Sequence, residues 1–328
     1  MRSVCLLLLL LPLAFLSGPL RGQDVHFSQI NVNPVLFNPA YTGFFDGNAR
    51  VGLVYRNQWV SVSQPFQTLA LSGEISLWRG RYRRQGLSLG CLVLRDRAGS
   101  LNYGTTSADI MASYFFPLGS RFPHFLSFAA ALGYAQSGFD IANISLADDS
   151  ESMPRHQSSY PILRLGVAWH CSPTEQLQLR LGLSGSNLNR PNISYLQLDD
   201  THLEPRWNLY SQVEYRCWES VALAPVAFFQ LQHNNDEFLF GTDVKWFLDE
   251  SSSHWVVLSA GLLFRHRDAF TVNLLAELNA FAFSFSYDAN VSKLVEASNT
   301  IGAFELGLLY RFSKHKKQNH HSLPCPIM

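Results

Sequence analysis

The chain has 328 residues, with 25 Lys+Arg balanced by 25 Asp+Glu and only 15% charged residues in all. That balance gives no electrostatic pull toward nucleic acid, and a soluble protein so poor in charge would struggle to cover its surface. A chain facing lipid would not, and 24 Phe, 12 Tyr and 7 Trp suit such a solvent.

The first residues read as an export signal. Arg2 supplies a positive start, Leu6 to Leu13 an apolar core broken only by Pro12, and Ser17, Gly18 and Gly22 the small residues that precede Gln23. Residues 1–22 are therefore expected to be removed, and Cys5 with them. The apolar run is shorter than the roughly 20 residues of a helical span. No later run approaches ~18 apolar residues, so an exported, lipid-like chain is left with the closed β-barrel, in which every backbone group is paired internally.

Residues 23–46 carry two Asn-Pro pairs, Asn33-Pro34 and Asn38-Pro39, which argue against a strand because proline cannot donate to a ladder and restricts the residue before it. With Phe27 and its other apolar residues the segment is too hydrophobic for a free tail. A compact coil packed in the periplasmic mouth of a barrel is the expectation.

From residue 47 to 312 the side chains alternate. Phe281, Phe283, Phe285 and Tyr287 share one face while Ala282, Ser284, Ser286 and Asp288 share the other. Leu177 to Leu183 alternate with Gln178, Arg180 and Gly182, and Phe304 to Phe312 with Glu305, Gly307 and Arg311. Such runs predict about fourteen antiparallel strands, near 47–60, 66–78, 85–95, 103–116, 123–138, 160–171, 176–187, 206–217, 219–231, 237–248, 254–266, 269–279, 281–289 and 300–312. The two longest gaps, Phe139–Ser159 and Leu188–Pro205, both follow odd-numbered strands. The gaps at Ser172–Glu175, Trp218 and Asn279–Ala280 follow even-numbered ones. An outer-membrane barrel needs this parity, with long extracellular loops and short periplasmic turns. Residues 313–328 then form a periplasmic tail. A soluble two-sheet sandwich also alternates, but it would have to bury Arg and Glu opposite its apolar faces.

Few residues suggest chemistry. Gly86-Leu-Ser88-Leu-Gly90 fits a nucleophile elbow, yet the alternation continues through Cys91 and Val93, so Ser88 reads as a strand residue facing the lumen. His124, His156, His202, His233 and His254 fall at strand ends or in loops. His315, His320, His321 and Cys325 are too loosely spaced for a metal site. Neither cofactor nor metal is expected. Cys91 should stay free, and one disulfide could join two of Cys171, Cys217 and Cys325. Trp78-Arg79-Gly-Arg81-Tyr-Arg83-Arg84 packs four arginines into a predicted periplasmic turn, either plainly solvated or a dock for an acidic partner or anionic headgroups. In Tyr55-Arg56-Asn57-Gln58-Trp59, Arg56 and Gln58 point inward, and Arg56 could meet the luminal acids Glu74, Asp288 or Glu305 and pin or plug the lumen. Several inward positions, Gly52, Val54, Leu92 and Leu94, are small or apolar and favour a filled lumen.

Phe27-Ser-Gln, Asn38-Pro-Ala, Tyr55-Arg-Asn-Gln-Trp59, Tyr287-Asp-Ala-Asn-Val-Ser292 and the closing Phe304-Glu-Leu-Gly-Leu-Leu-Tyr-Arg-Phe312 occur in order at a spacing that resembles the PorP/SprF family of type IX secretion and gliding-motility membrane proteins. Ala98 to Ser253 is similar only in strand rhythm, and the tail from Lys314 departs from the family's ending. The resemblance implies a non-enzymatic outer-membrane barrel that contacts membrane lipid, periplasmic type IX or gliding proteins and a secreted or surface client protein. A passive porin or small-solute transporter is the rival.

Overall fold

A computed structural model describes residues 26–59, 65–79, 85–99, 103–119, 123–139, 157–195, 201–251, 254–292 and 300–312. The predicted signal peptide and tail lie outside them, as do Arg81, Arg83, Arg84 and Cys325.

Fourteen strands form one closed antiparallel barrel: β1 (Ala49–Gln58), β2 (Phe66–Arg79), β3 (Gly86–Ala98), β4 (Tyr103–Pro117), β5 (His124–Gly138), β6 (Gln157–Thr174), β7 (Leu177–Ser186), β8 (Arg206–Trp218), β9 (Val221–Gln232), β10 (Asn235–Glu250), β11 (Trp255–Arg265), β12 (Ala269–Leu278), β13 (Phe281–Asn290) and β14 (Ile301–Phe312). Each strand pairs with its sequence neighbour, and β1 closes the ring on β14 with Arg56 opposite Glu305. A single closed sheet rules out the two-sheet sandwich. The sequence places every strand within a few residues; the largest difference is β6, which runs three residues further at each end because Gln157–Pro161 pair with Tyr134–Gly138 of β5 and Thr174 pairs with Leu177 of β7 across a bulge.

Side-chain exposure follows the period-2 rule. In β13, Phe281, Phe283, Phe285 and Tyr287 are exposed, and Ala282, Ser284, Ser286 and Asp288 are buried. The outer face of every strand carries such apolar residues, which lipid would cover. No helix among the described residues is long and apolar enough to cross a membrane, so the crossing is made by strands. The ends of β5 and β7, after which the chain runs longest before the next strand, lie at the end of the barrel where β1 finishes. Part of the chain after β7 folds inward: Ile193 and Leu203 pack on Ala135, Tyr160 and Ile162, and Tyr195 donates to Ser137 Oγ at 3.0 Å.

The main hydrophobic core lies inside the barrel. Phe27, Ile30, Val35, Leu36, Phe37 and Tyr41 of the N-terminal segment pack against Val54, Leu92, Met111, Tyr210, Phe228 and Leu239 of the wall. At about 1.5–3 kcal/mol for each large apolar side chain removed from water, this contact is a major part of what holds the segment in place.

Candidate functional site

Residues 26–45 occupy the lumen as a plug. Proline shapes it locally: Pro34–Leu36 and Pro39–Tyr41 form short 3-10 turns, each with proline at its start. Asn38 caps the second turn, its side chain accepting from the Ala40 N–H at 2.9 Å. The turns satisfy much of their own main chain, as in Leu36 N–H to Asn33 O and Thr42 N–H to Pro39 O.

The segment runs the length of the lumen. This corrects the expectation of a coil confined to the periplasmic mouth: the apolar side chains need a wall on all sides, and only the barrel interior supplies one. Its N-terminal part lies toward the long-loop end. There the Ser28 N–H donates to Glu305 at 2.6 Å, the Gln29 N–H to the same carboxylate at 3.1 Å, and the Ser28 hydroxyl to Asp288 at 2.9 Å. Arg56 bridges Glu305 and Asp288, the latter at 2.9 Å. Arg265 joins Asp288 at 3.1 Å, Glu237 at 2.9 Å and the Ser28 hydroxyl at 2.6 Å, while His26 meets Glu237. Arg56, Asp288 and Glu305 are almost wholly buried, so their charges are held by one another and by the plug's amides rather than by water.

Midway, Asn38 donates to the carbonyls of Val167 at 3.0 Å and Leu183 at 3.3 Å. Gly166 and Gly182 make room for it: a Cβ on Gly182 would sit 2.5 Å from Tyr41 Oη and 2.9 Å from Asn38 Nδ2. Wall hydroxyls and one amide then read the plug's carbonyls. Ser127 donates to Ala40 O, Ser113 to Thr42 O, and Ser184 and Asn208 to Phe37 O. At the short-turn end Gly43 turns with φ +76°, where a Cβ would strike Ser88, and its N–H donates to Glu74 at 2.9 Å. Phe44 stacks on buried His170 at 3.6 Å, and Phe45 lies beneath the guanidinium of Arg50, 4.8 Å away.

The structure thus brings together Arg56, Asp288 and Glu305 with Phe27-Ser28, and Asn38-Pro39 with β6 and β7. It separates Glu74, which pairs with Arg50 at the other end of the lumen, the nearest acids to Arg56 being those on β13 and β14. Gln58 sits half-buried near the strand end and makes none of these contacts. Asn33-Pro34 opens the first turn, wholly buried. Arg79 is not a free element of a basic turn: it ends β2, donates to Phe45 O at 2.8 Å and to Gly43 O at 3.4 Å, and so clamps the plug's exit. A disulfide between Cys171 and Cys217 is not formed; both are free thiols, as is Cys91. Strand β7 lies between their strands, so the gap is about two strand spacings, ~9–10 Å, too wide for a bridge. Ser88 lies in the straight run of β3, facing Gly43. Among the described residues no cluster of three or more His, Cys, Asp or Glu could hold a metal ion.

Sequence reading missed Arg265, Arg50, Ser28 and His170. Arg265 and Arg50 each fall on the inward phase of an alternating strand, which was a usable signal; His170 follows outward-facing Trp169 in the same way.

A gap of about 40 Å³ lies between Ser28–Val32 and Arg180, Asp243, Lys245, Ser259 and Asn273. At ~10–15 Å³ for each water centre it has room for about three waters.

The family described as "Type IX secretion system membrane protein PorP/SprF" matches residues 20–310. Among curated proteins none matches. Similar solved structures include the Ralstonia pickettii toluene transporter TbuX, 10% identical over 90% of this chain and 96% of that one, with a TM-score of 0.49. A Pseudomonas aeruginosa FadL homologue is 12% identical over 84% and 93%, TM-score 0.49, and the CymD monoaromatic hydrocarbon channel 12% identical over 90% and 96%, TM-score 0.48. These likenesses concern the fold alone.

Proposed function

Because this chain belongs to the PorP/SprF family of type IX secretion system membrane proteins, we propose that it serves protein secretion in the bacterial outer membrane as a non-catalytic anchor and adaptor. In this reading its ends do the work: the short-turn end meets periplasmic machinery of secretion or gliding, and the long-loop end meets a secreted or surface client. The observation that supports it is the filled lumen. A passive porin needs a continuous wet path, and here Phe27 to Phe45 lie buried within the lumen against the wall.

Crosslinking in native membranes followed by affinity capture tests the reading. Periplasmic secretion proteins and a large surface client should be recovered with the barrel. Recovery of the barrel alone, together with large stable currents from the purified protein in planar bilayers, would replace the adaptor with the porin.

A further inference from the structure

The plug and the wall are chemically independent in one respect. The fourteen strands close on one another without any main-chain pairing from residues 26–45, and the first ladder-like bond at the junction is the Asn48 N–H to Phe312 O. The plug in turn bonds much of its main chain to itself through the two 3-10 turns. Beside the apolar packing, a set of wall side chains reaches the plug's main chain. Ser113, Ser127, Ser184 and Asn208 donate to plug carbonyls, and Glu74 and Glu305 accept from plug amides. Groups arranged in this way recognise a peptide by its backbone path, as a binding groove does.

Plug side chains add selectivity, Ser28 and Asn31 through Asp288, Asp243 and Tyr210, and the second turn most distinctively. Asn38 reaches two wall carbonyls through the space above Gly166 and Gly182. Tyr41 sits edge-on between His170 at 5.5 Å and Tyr210 at 5.9 Å. A peptide with Asn-Pro-Ala-Tyr in this 3-10 turn fits both; one lacking the amide leaves the carbonyls of Val167 and Leu183 without that donor, a loss typical of a specific site.

We infer that the lumen is a peptide-binding site and that residues 26–45 are a tethered ligand, so that the assembled barrel takes up in trans a peptide of the same sequence class, one carrying an Asn-Pro-Ala-Tyr turn. The tether holds the resident copy at an effective concentration of about millimolar, which is why an outside peptide gains entry only when the tether or its latch is weakened. The site stands on this geometry and does not depend on the secretion role.

The test uses the full chain with a protease site inserted between Asp46 and Gly47. The protein is assembled, its barrel verified by heat-modifiable gel migration, and the junction then cut. A fluorescent synthetic peptide of residues 26–46 should exchange into the cut barrel, and its Asn38→Ala form should bind at least tenfold more weakly. If the insertion blocks assembly, uncut full-length Asn38→Ala provides the second measurement: its resident plug has lost the turn's donor while the wall is intact, so it should take up more of the unchanged labelled peptide than the parent does. No uptake by cut barrels, whether the cut segment stays locked in or is lost and not replaced, overturns the inference. So does equal binding of a scrambled peptide.

Discussion

Replacing Arg56 with Met should be the most damaging single change to the upper half of the lumen. Arg56 is 1% exposed and holds two buried carboxylates, Asp288 and Glu305. Asp288 keeps partners afterwards, Arg265 at 3.1 Å and Thr271 at 2.7 Å. Glu305 keeps only the amides of Ser28 and Gln29 among these contacts. Breaking a buried pair by removing one partner costs about 3–5 kcal/mol, and most of it should fall on Glu305. The network also carries more acid than base, with Arg56 and Arg265 facing Asp288, Glu305, Glu237 and Asp268. Loss of a guanidinium deepens that imbalance, whereas Asp288→Asn relieves it and should cost less. Neutralising the stranded acid in Arg56→Met/Glu305→Gln should recover about half of the loss. Urea titration of the barrel in lipid vesicles, read by heat-modifiable migration, reports all three. Equal destabilisation by the single and double variants, or a larger cost for Asp288→Asn, would refute this account of how the charges are held.

Gly182→Ala places a methyl 2.5 Å from Tyr41 Oη, so it should cost about 1–3 kcal/mol by overpacking and raise membrane conductance as the plug shifts; unchanged conductance and stability would contradict the fit. Deleting Asp24–Thr42 should convert a nearly silent protein into a conducting one in planar bilayers. Phe283→Arg on the lipid face should cost about 2–4 kcal/mol near the bilayer midplane, measured by the same urea titration. Ser284→Arg should not be milder, because the Ser284 hydroxyl bonds Gln29 and an arginine there meets the plug. Changing Arg81, Arg83 and Arg84 together to Gln should leave assembly intact and weaken capture of an acidic periplasmic partner, more so for the parent than the variant as salt is added.

The wall was legible because its rule is local. Each lipid-facing strand must alternate, and Phe281 to Asp288 show this without knowledge of any neighbour. The plug was only half legible. Asn33-Pro34 and Asn38-Pro39 declare turns, since proline forbids a ladder there, but nothing local says how deep the coil lies. Depth is set by matches between distant residues, Ser28 with Glu305 and Asn38 with Gly182, separated by more than a hundred positions. Register, not separation along the chain, explains the misplacement of Glu74. Its face was readable; its height in the barrel, opposite Arg50 and not Arg56, depends on the register of β1 on β2. Arg79 misled for a different reason: a basic cluster in a turn looks solvated as a whole, although one member points inward at a carbonyl.

The latch at Ser28 sits on the seam where the barrel closes. Arg56 of β1 and Glu305 of β14 are cross-strand partners in the last ladder to form in sequence terms, and both touch Ser28. The plug is joined directly to β1, so its exit at the short-turn end is fixed by the same strand whose far half it braces. Closing the seam therefore completes the binding site for Ser28, and docking Ser28 gives the carboxylate that closure buries a hydrogen-bond donor beside Arg56. The two steps stabilise each other through one carboxylate. A barrel whose seam opened would lose the latch at Ser28, and a barrel whose plug left would hold Glu305 by Arg56 alone, so the latch and the seam should weaken together.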